Sequence, residues 1–113
     1  MQSIPFQTID WTTVPVETIR GDEGFAKSRT VSLPGLRIRM MRYSPGYLAD
    51  HWCRKGHIVH CLEGEFTTRM EEGGEYRLQA GQSYIVSDEQ SSHRSWSESG
   101  VTLLITDGDF LAL

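Results

Sequence analysis

A chain of 113 residues buries roughly two-thirds of its unfolded surface, enough for one hydrophobic core and not for two. Eleven Lys and Arg against fifteen Asp and Glu leave a formal charge of −4, which excludes the basic field of a nucleic-acid-binding module. The composition, 38% hydrophobic and 23% charged, is that of a globular domain; no apolar run nears the ~18–20 residues of a membrane span, and Cys53 and Cys61 are too few for a disulfide scaffold.

The opening Met1-Gln2-Ser3-Ile4-Pro5 lacks the charged and apolar regions of a secretory leader. The expectation is a cytoplasmic, reduced, single-domain protein with neither nucleic acid nor membrane as partner. Up to about Ser32 no clean period is visible, and residues 16–28 hold the best helical candidate, a weak one. Residues 1–32 are expected to form an N-terminal arm or edge strands, and 33–107 the core of a barrel. Leu36-Arg37-Ile38-Arg39-Met40 alternates apolar and charged residues, the period of a half-buried strand. Ser44-Pro45-Gly46 closes it as a turn. Ile58 to Leu62 reads as a strand ending at Glu63-Gly64-Glu65, and Phe66 to Met70 as another. Glu71-Glu72-Gly73-Gly74-Glu75 is a hairpin turn with Tyr76-Arg77-Leu78 as its return. Ser83 to Val86, His93 to Trp96 and Val101 to Thr106 complete the strands, with a polar loop from Ser87 to Ser92. Short strands separated by Gly-centred turns predict an all-β sandwich or barrel.

Three of the four histidines sit where a metal site would want them. Taking Arg54-Lys55-Gly56 as the tip of a tight hairpin puts His51 and Cys53 on one face, with His57 opening the return strand opposite Cys53. Cross-strand neighbours lie ~4.5–5.5 Å apart at Cβ, close enough to share an ion. Imidazole and thiolate are ligands of zinc and its transition-metal neighbours. His93, on a later strand, is placed as a fourth ligand from across the barrel.

The run Gly46-x4-His51-x-Cys53-x3-His57-x6-Gly64 resembles the first cupin motif, which reads Gly, five residues, His-x-His, three or four residues, Glu, six residues, Gly. Gly81 through His93 resembles the second, which ends in a metal-binding His. Together they span roughly residues 46–97. Asp50-His51-Trp52-Cys53, with Cys61-Leu62-Glu63-Gly64-Glu65, is similar more narrowly to the cupins named for a DHCW motif. The resemblance implies a double-stranded β-helix, a jelly-roll-like barrel, with one divalent transition metal inside. Position by position it implies His51, Cys53, His57 and His93 as ligands. It also implies a homodimer, for which the unpatterned N-terminal arm offers a route. The chain departs from the motif where Cys53 replaces the second His and His57 the Glu, and where Ser87-Asp88-Glu89 replaces Pro-x-Gly. Imidazole for carboxylate, plus a thiolate, shifts the preference to zinc, with iron, nickel and manganese as further candidates.

Other residues take plainer readings. His60, three after His57, faces the opposite side of its strand. Cys61 stands too far from Cys53 for a disulfide, so both thiols are expected free. Asp50 is a rim carboxylate pairing with Arg54 or Lys55, with orientation of a ligating imidazole as the alternative. Arg39, Arg42, Arg69 and Arg94 are mostly solvent-facing partners of the acids, or else a clamp for a substrate carboxylate. Tyr43, Tyr47, Tyr84 and Trp96 pack a core or line a pocket. Gly56, Gly64 and Gly81 mark turns with φ > 0. Three functions fit: a metal-dependent enzyme with an open coordination position, acting on a small organic molecule; a non-enzymatic binding or sensing module whose closed His3Cys site answers oxidants; or a metal-free barrel holding a small organic ligand. No general base stands out, so no catalytic residue or reaction class is assigned.

Overall fold

The computed structural model describes residues 3–112; the first two residues of the chain and the last of the expected single domain lie outside them. Nine strands run β1 (Glu17–Arg20), β2 (Phe25–Leu33), β3 (Leu36–Tyr43), β4 (Tyr47–Leu48), β5 (His57–Met70), β6 (Glu75–Gln79), β7 (Ser83–Val86), β8 (His93–Ser97) and β9 (Val101–Gly108). Two 3-10 turns, Trp11–Thr13 and Asp109–Leu111, are the only helical structure among the described residues. The weak helical candidate at 16–28 is therefore strand: β1 pairs with β2, whose Ala26 and Ser28 point inward and are buried. Strand alternation, with every second side chain on one face, wins over a helical period that was never continuous.

All pairings are antiparallel, in the order β1-β2-β3-β9-β5-β8-β4, with β6 and β7 also on β5. The architecture is the expected all-β curled barrel. Strand β5 organises it, and here the sequence misleads. The two strands expected at 58–62 and 66–70 are one continuous strand of 14 residues. Its first half pairs with β7 and β9, its second with β6 and β8. A bulge between Cys61 and Glu63 shifts the register against β9. One extra residue reverses the parity of the inward face: His57, Val59 and Cys61 point in before it, Phe66 and Thr68 after it. Gly64 sits at φ 79°, and a Cβ there would lie 2.3 Å from the Gly100 carbonyl oxygen. Glu63-Gly64-Glu65 is thus a bend that carries the strand round the barrel rather than a turn that ends it.

Strand β3 alternates as expected but with the opposite sense. Arg37, Arg39, Met41 and Tyr43 line the barrel interior, while Ile38 and Met40 stand on the outer face, half-buried. Arg42 and Arg69 are solvent-exposed, as expected; Arg39 is not, and its side chain is only 17% exposed. The apolar core includes Ala26, Met41, Tyr47, Val59, Cys61, Phe66, Leu78, Val101, Leu103 and Ile105.

Candidate metal centre

Residues 49–56 do not form the expected hairpin. Cys53 makes an isolated bridge with His93 instead: its N–H donates to the His93 carbonyl at 2.7 Å, and the His93 N–H donates back at 2.9 Å. Such a directly opposed pair presents both side chains on one face. His57 opens β5 opposite Val86, not opposite Cys53. Gly56 leads into it for want of space rather than for a positive φ, since a Cβ would meet backbone atoms of Val86, Ser87 and Asp88 at 2.6–2.7 Å. Its N–H donates to Asp88 Oδ1 at 2.6 Å, which pins the chain where β5 starts.

By this different route Cys53, His57 and His93 converge, each offering one ligand atom within 4.8 Å of the others. Cys53 Sγ lies 3.6 Å from His57 Nε2, and the two imidazoles meet edge to face at 5.5 Å between centroids. A zinc tetrahedron with Zn–S near 2.3 Å and Zn–N near 2.0–2.1 Å has S···N edges of about 3.5 Å. The Cys53–His57 separation fits that edge, and the softness of the donor set fits zinc. His93 takes a hydrogen bond with Ser91 Oγ on Nδ1 at 2.9 Å, which leaves Nε2 for an ion. Burial holds the His93 and His57 imidazoles below their ordinary range; for His57, Arg39 and His93 add to the effect and the value falls to about 4. Both rings are therefore neutral at neutral pH, the form that binds metal.

The expected fourth member is elsewhere. His51 lies on the cavity rim with its side chain 72% exposed, and its Nδ1–H donates to Asp50 Oδ1 at 2.6 Å. Two-residue parity could not place it with Cys53, because the segment between Leu48 and His57 is not a strand. Asp50 is a rim carboxylate, but its partner is His51; Arg54 pairs with Glu89 at 3.7 Å and Lys55 with Asp88 at 4.0 Å. His60 faces away from the centre, its Nδ1 2.6 Å from Ser83 Oγ. Cys53 and Cys61 are both free.

Solved structures share this fold. Neither a family model nor a curated protein matches the sequence. A predicted oxalate decarboxylase from Thermotoga maritima superposes with a TM-score of 0.75 at 14% identity, over 90% of this chain and 99% of the other. An RmlC-like cupin from Shewanella frigidimarina gives 0.70 at 19% identity, over 92% and 91%. The EutQ protein of Clostridium difficile gives 0.73 at 13%, over 89% and 85%.

The chain has the cupin fold.

The barrel surrounds the three convergent side chains with charges, of which the sequence had singled out only Arg39. Asp107, 3% exposed, receives two hydrogen bonds from Arg37, Nε to Oδ1 at 3.1 Å and Nη2 to Oδ2 at 2.9 Å. Arg39 Nη2 reaches the same Oδ2 at 3.3 Å, and His57 Nδ1 stands 3.5 Å from it. Burial pushes the Asp107 carboxyl up, yet the bonds and charge of Arg37, with Arg39, hold it below the usual carboxylate range. His57 Nδ1 makes no hydrogen bond at that distance, but the charge of Asp107 favours the tautomer with its proton on Nδ1, which leaves the Nε2 lone pair on the side of Cys53. The signal for Asp107 was present. Val101, Leu103 and Ile105 are the inward set of β9, and the next inward position is Asp107. The cavity beside these groups measures about 270 Å³, with Met41, Tyr43, Tyr84 and Phe66 among its walls.

Proposed function

We propose that this chain, as a single domain over residues 1–113, is a metal-binding cupin that holds one divalent transition metal on Cys53, His57 and His93, with zinc preferred over iron, nickel or manganese. The observation that carries it is the convergence of two buried imidazoles and a thiol from three separate parts of the chain, with one S···N distance matching a zinc edge. The kinship with the DHCW-motif cupins belongs to the same proposal. When bound, such an ion supplies Lewis acidity to a molecule entering the cavity. The protein's share is to keep His57 and His93 neutral by burial, to bias the His57 tautomer through the nearby charge of Asp107, and to leave one side of the group open to the cavity. The open side favours a metal-dependent enzyme acting on a small organic molecule. Fold neighbours named as an ectoine synthase and a sugar phosphate isomerase differ too much in chemistry to name the reaction.

A closed His3Cys module is the second reading, favoured by one observation: His51 borders the same cavity. Turning inward, it would exchange its Asp50 hydrogen bond for the fourth metal position. Elemental analysis of untagged protein near neutral pH separates the outcomes. Near-stoichiometric metal that is lost in Cys53→Ala and His93→Ala but kept in His51→Ala supports the open centre. Loss in His51→Ala as well supports the closed one, and no metal after reconstitution rejects both.

The proposal extends to a cytoplasmic homodimer. Val31, Ile38, Thr106, Ile58 and Ile85 form one cross-strand row on the outer face, ending in an Ile85 that is 69% exposed. Phe6 on the N-terminal arm is 95% exposed. A second copy would cover both. Light scattering behind size exclusion is expected to read twice the chain mass, and a monomer at all concentrations rejects the dimer. No helix among the described residues is long and apolar enough to cross a membrane.

A further inference from the structure

We propose that the cavity selects a small organic monocarboxylate and that Arg39 is the residue that grips it; the inference rests on the metal-centre reading only for what stands at the ligand's other end. The interior carries two guanidiniums, Arg37 and Arg39, against one buried carboxylate. Arg37 takes both oxygens of Asp107 in a fork, at 3.1 and 2.9 Å. Arg39 is left with one shared oxygen at 3.3 Å, and its Nε is buried with no hydrogen-bond partner among the described residues. A buried donor without an acceptor is costly, and a guanidinium cannot relieve the cost by giving up its proton. The neighbouring cations have partners of their own, Asp88 for Lys55 and Asp22 for Arg94, so they do not share the deficit. Behind the rim, where Asp50 pairs with His51, the imbalance is one positive charge and one unpartnered Nε–H.

A carboxylate matches both, because its two oxygens accept in the plane of the guanidinium and its single charge closes the balance. A phosphate near its dianion would overcompensate. The cavity of about 270 Å³ lies at the lower end of small-molecule pockets. Met41, Tyr43 and Tyr84 wall it with apolar surface fit for a short carbon chain.

Propanoate, its neutral isostere propanamide, and inorganic phosphate are the probes, titrated by ligand-observed NMR against metal-stripped and zinc-reconstituted protein. Propanoate is expected to bind at least about tenfold more tightly than propanamide in both forms. Arg39→Gln is expected to abolish that preference while circular dichroism shows the fold retained, and Arg39→Lys, which keeps the charge but not the fork, to retain part of it. If Arg39→Gln does not fold, an unchanged preference in Arg39→Lys overturns the proposal and a reduced one supports it. Equal binding of acid and amide, a preference that survives Arg39→Gln, or displacement of propanoate by less phosphate also overturns it. Should zinc fail to bind, the metal-centre reading falls, and the metal-stripped titration still decides the role of Arg39.

Discussion

Strands β3, β9 and β5 share one inward face, and its character changes from row to row. In one row Met41, Leu103 and Cys61 lie side by side, all buried and apolar. In the next, Arg39 joins Ile105 and Val59; in the one after, Arg37 pairs with Asp107, with His57 close by. The apolar rows earn stability by removing surface from water, at about 25 cal/mol per Å². The charged row instead pays for desolvating three ionisable groups, which at best breaks even against an apolar replacement. A chain that fills most of its barrel with Leu, Ile, Val and Phe and then switches to Arg, Asp and His at one end is spending stability there. Residues that break the local packing rule mark function, and the break falls beside Cys53 and His93.

The sharpest way to break the contrast is to remove the one carboxylate. Asp107→Leu strands two guanidiniums beside each other and is expected to cost about 3–5 kcal/mol in denaturant unfolding, towards the lower figure because Arg37 reaches solvent. Adding Arg37→Met and Arg39→Met should recover most of the loss, since no unpaired buried charge then remains. Failure to recover would mean that Asp107 is not held by those two partners.

Acid attacks the same end of the barrel. Unfolded, an imidazole takes its proton near 6.5; His57, desolvated and facing Arg39, His93 and Arg37 with only Asp107 opposing, takes it near 4. Between those values the unfolded chain binds the extra proton, so stability falls as pH falls through the window and is complete above it. The loss is expected to be at most about 3 kcal/mol for metal-stripped protein. Arg37 and Arg39 hold the Asp107 carboxyl below its ordinary range, and Cys53 also faces the ring. In His57→Asn the slope between pH 6.5 and 4 should flatten to what His93 and, at the acid end, the lowered carboxylates such as Asp107 supply; an unchanged slope would place the acid sensitivity elsewhere.

A smaller effect is expected at the bend that divides the two halves of β5. Gly64→Ala forces a side chain into a left-handed backbone and against the Gly100 carbonyl. About 1–3 kcal/mol should be lost, with metal content unchanged if the bend serves the frame and not the centre.

How much of this was legible follows from what alternation encodes. Period-2 patterning placed strands at 66–70 and 101–106 and the turn at 71–75, because those signals are local. It gave β3 its period but not its sense. Both faces of that strand are half-buried, and only the register against β9 decides that Arg37 and Arg39 point inward. Glu63-Gly64-Glu65 has the composition of a turn; the strand partner that keeps it within β5, Gly64 to Val101, lies far along the chain. For the centre, residue types and motif resemblance pointed to Cys53, His57 and His93, but the expected pairing of Cys53 with His57 was a local hairpin where the structure uses a long-range bridge to His93. His51 failed to join them for the same reason, since parity holds only on a strand.

The smallest expected effect tests that parity where it does hold. His57 and His60 lie three residues apart on β5, before the bulge, so they stand on opposite faces: one 7% exposed beside Cys53, the other bonded to Ser83 on the outer side. His60→Ala removes one exposed hydrogen bond and should cost about 0.5 kcal/mol or less, with zinc stoichiometry untouched. A drop in bound zinc would be the more informative result. It would mean that β5 can slip by one residue, moving its whole inward set to solvent, and the bulge, the buried row and the proposed metal centre all depend on the same register.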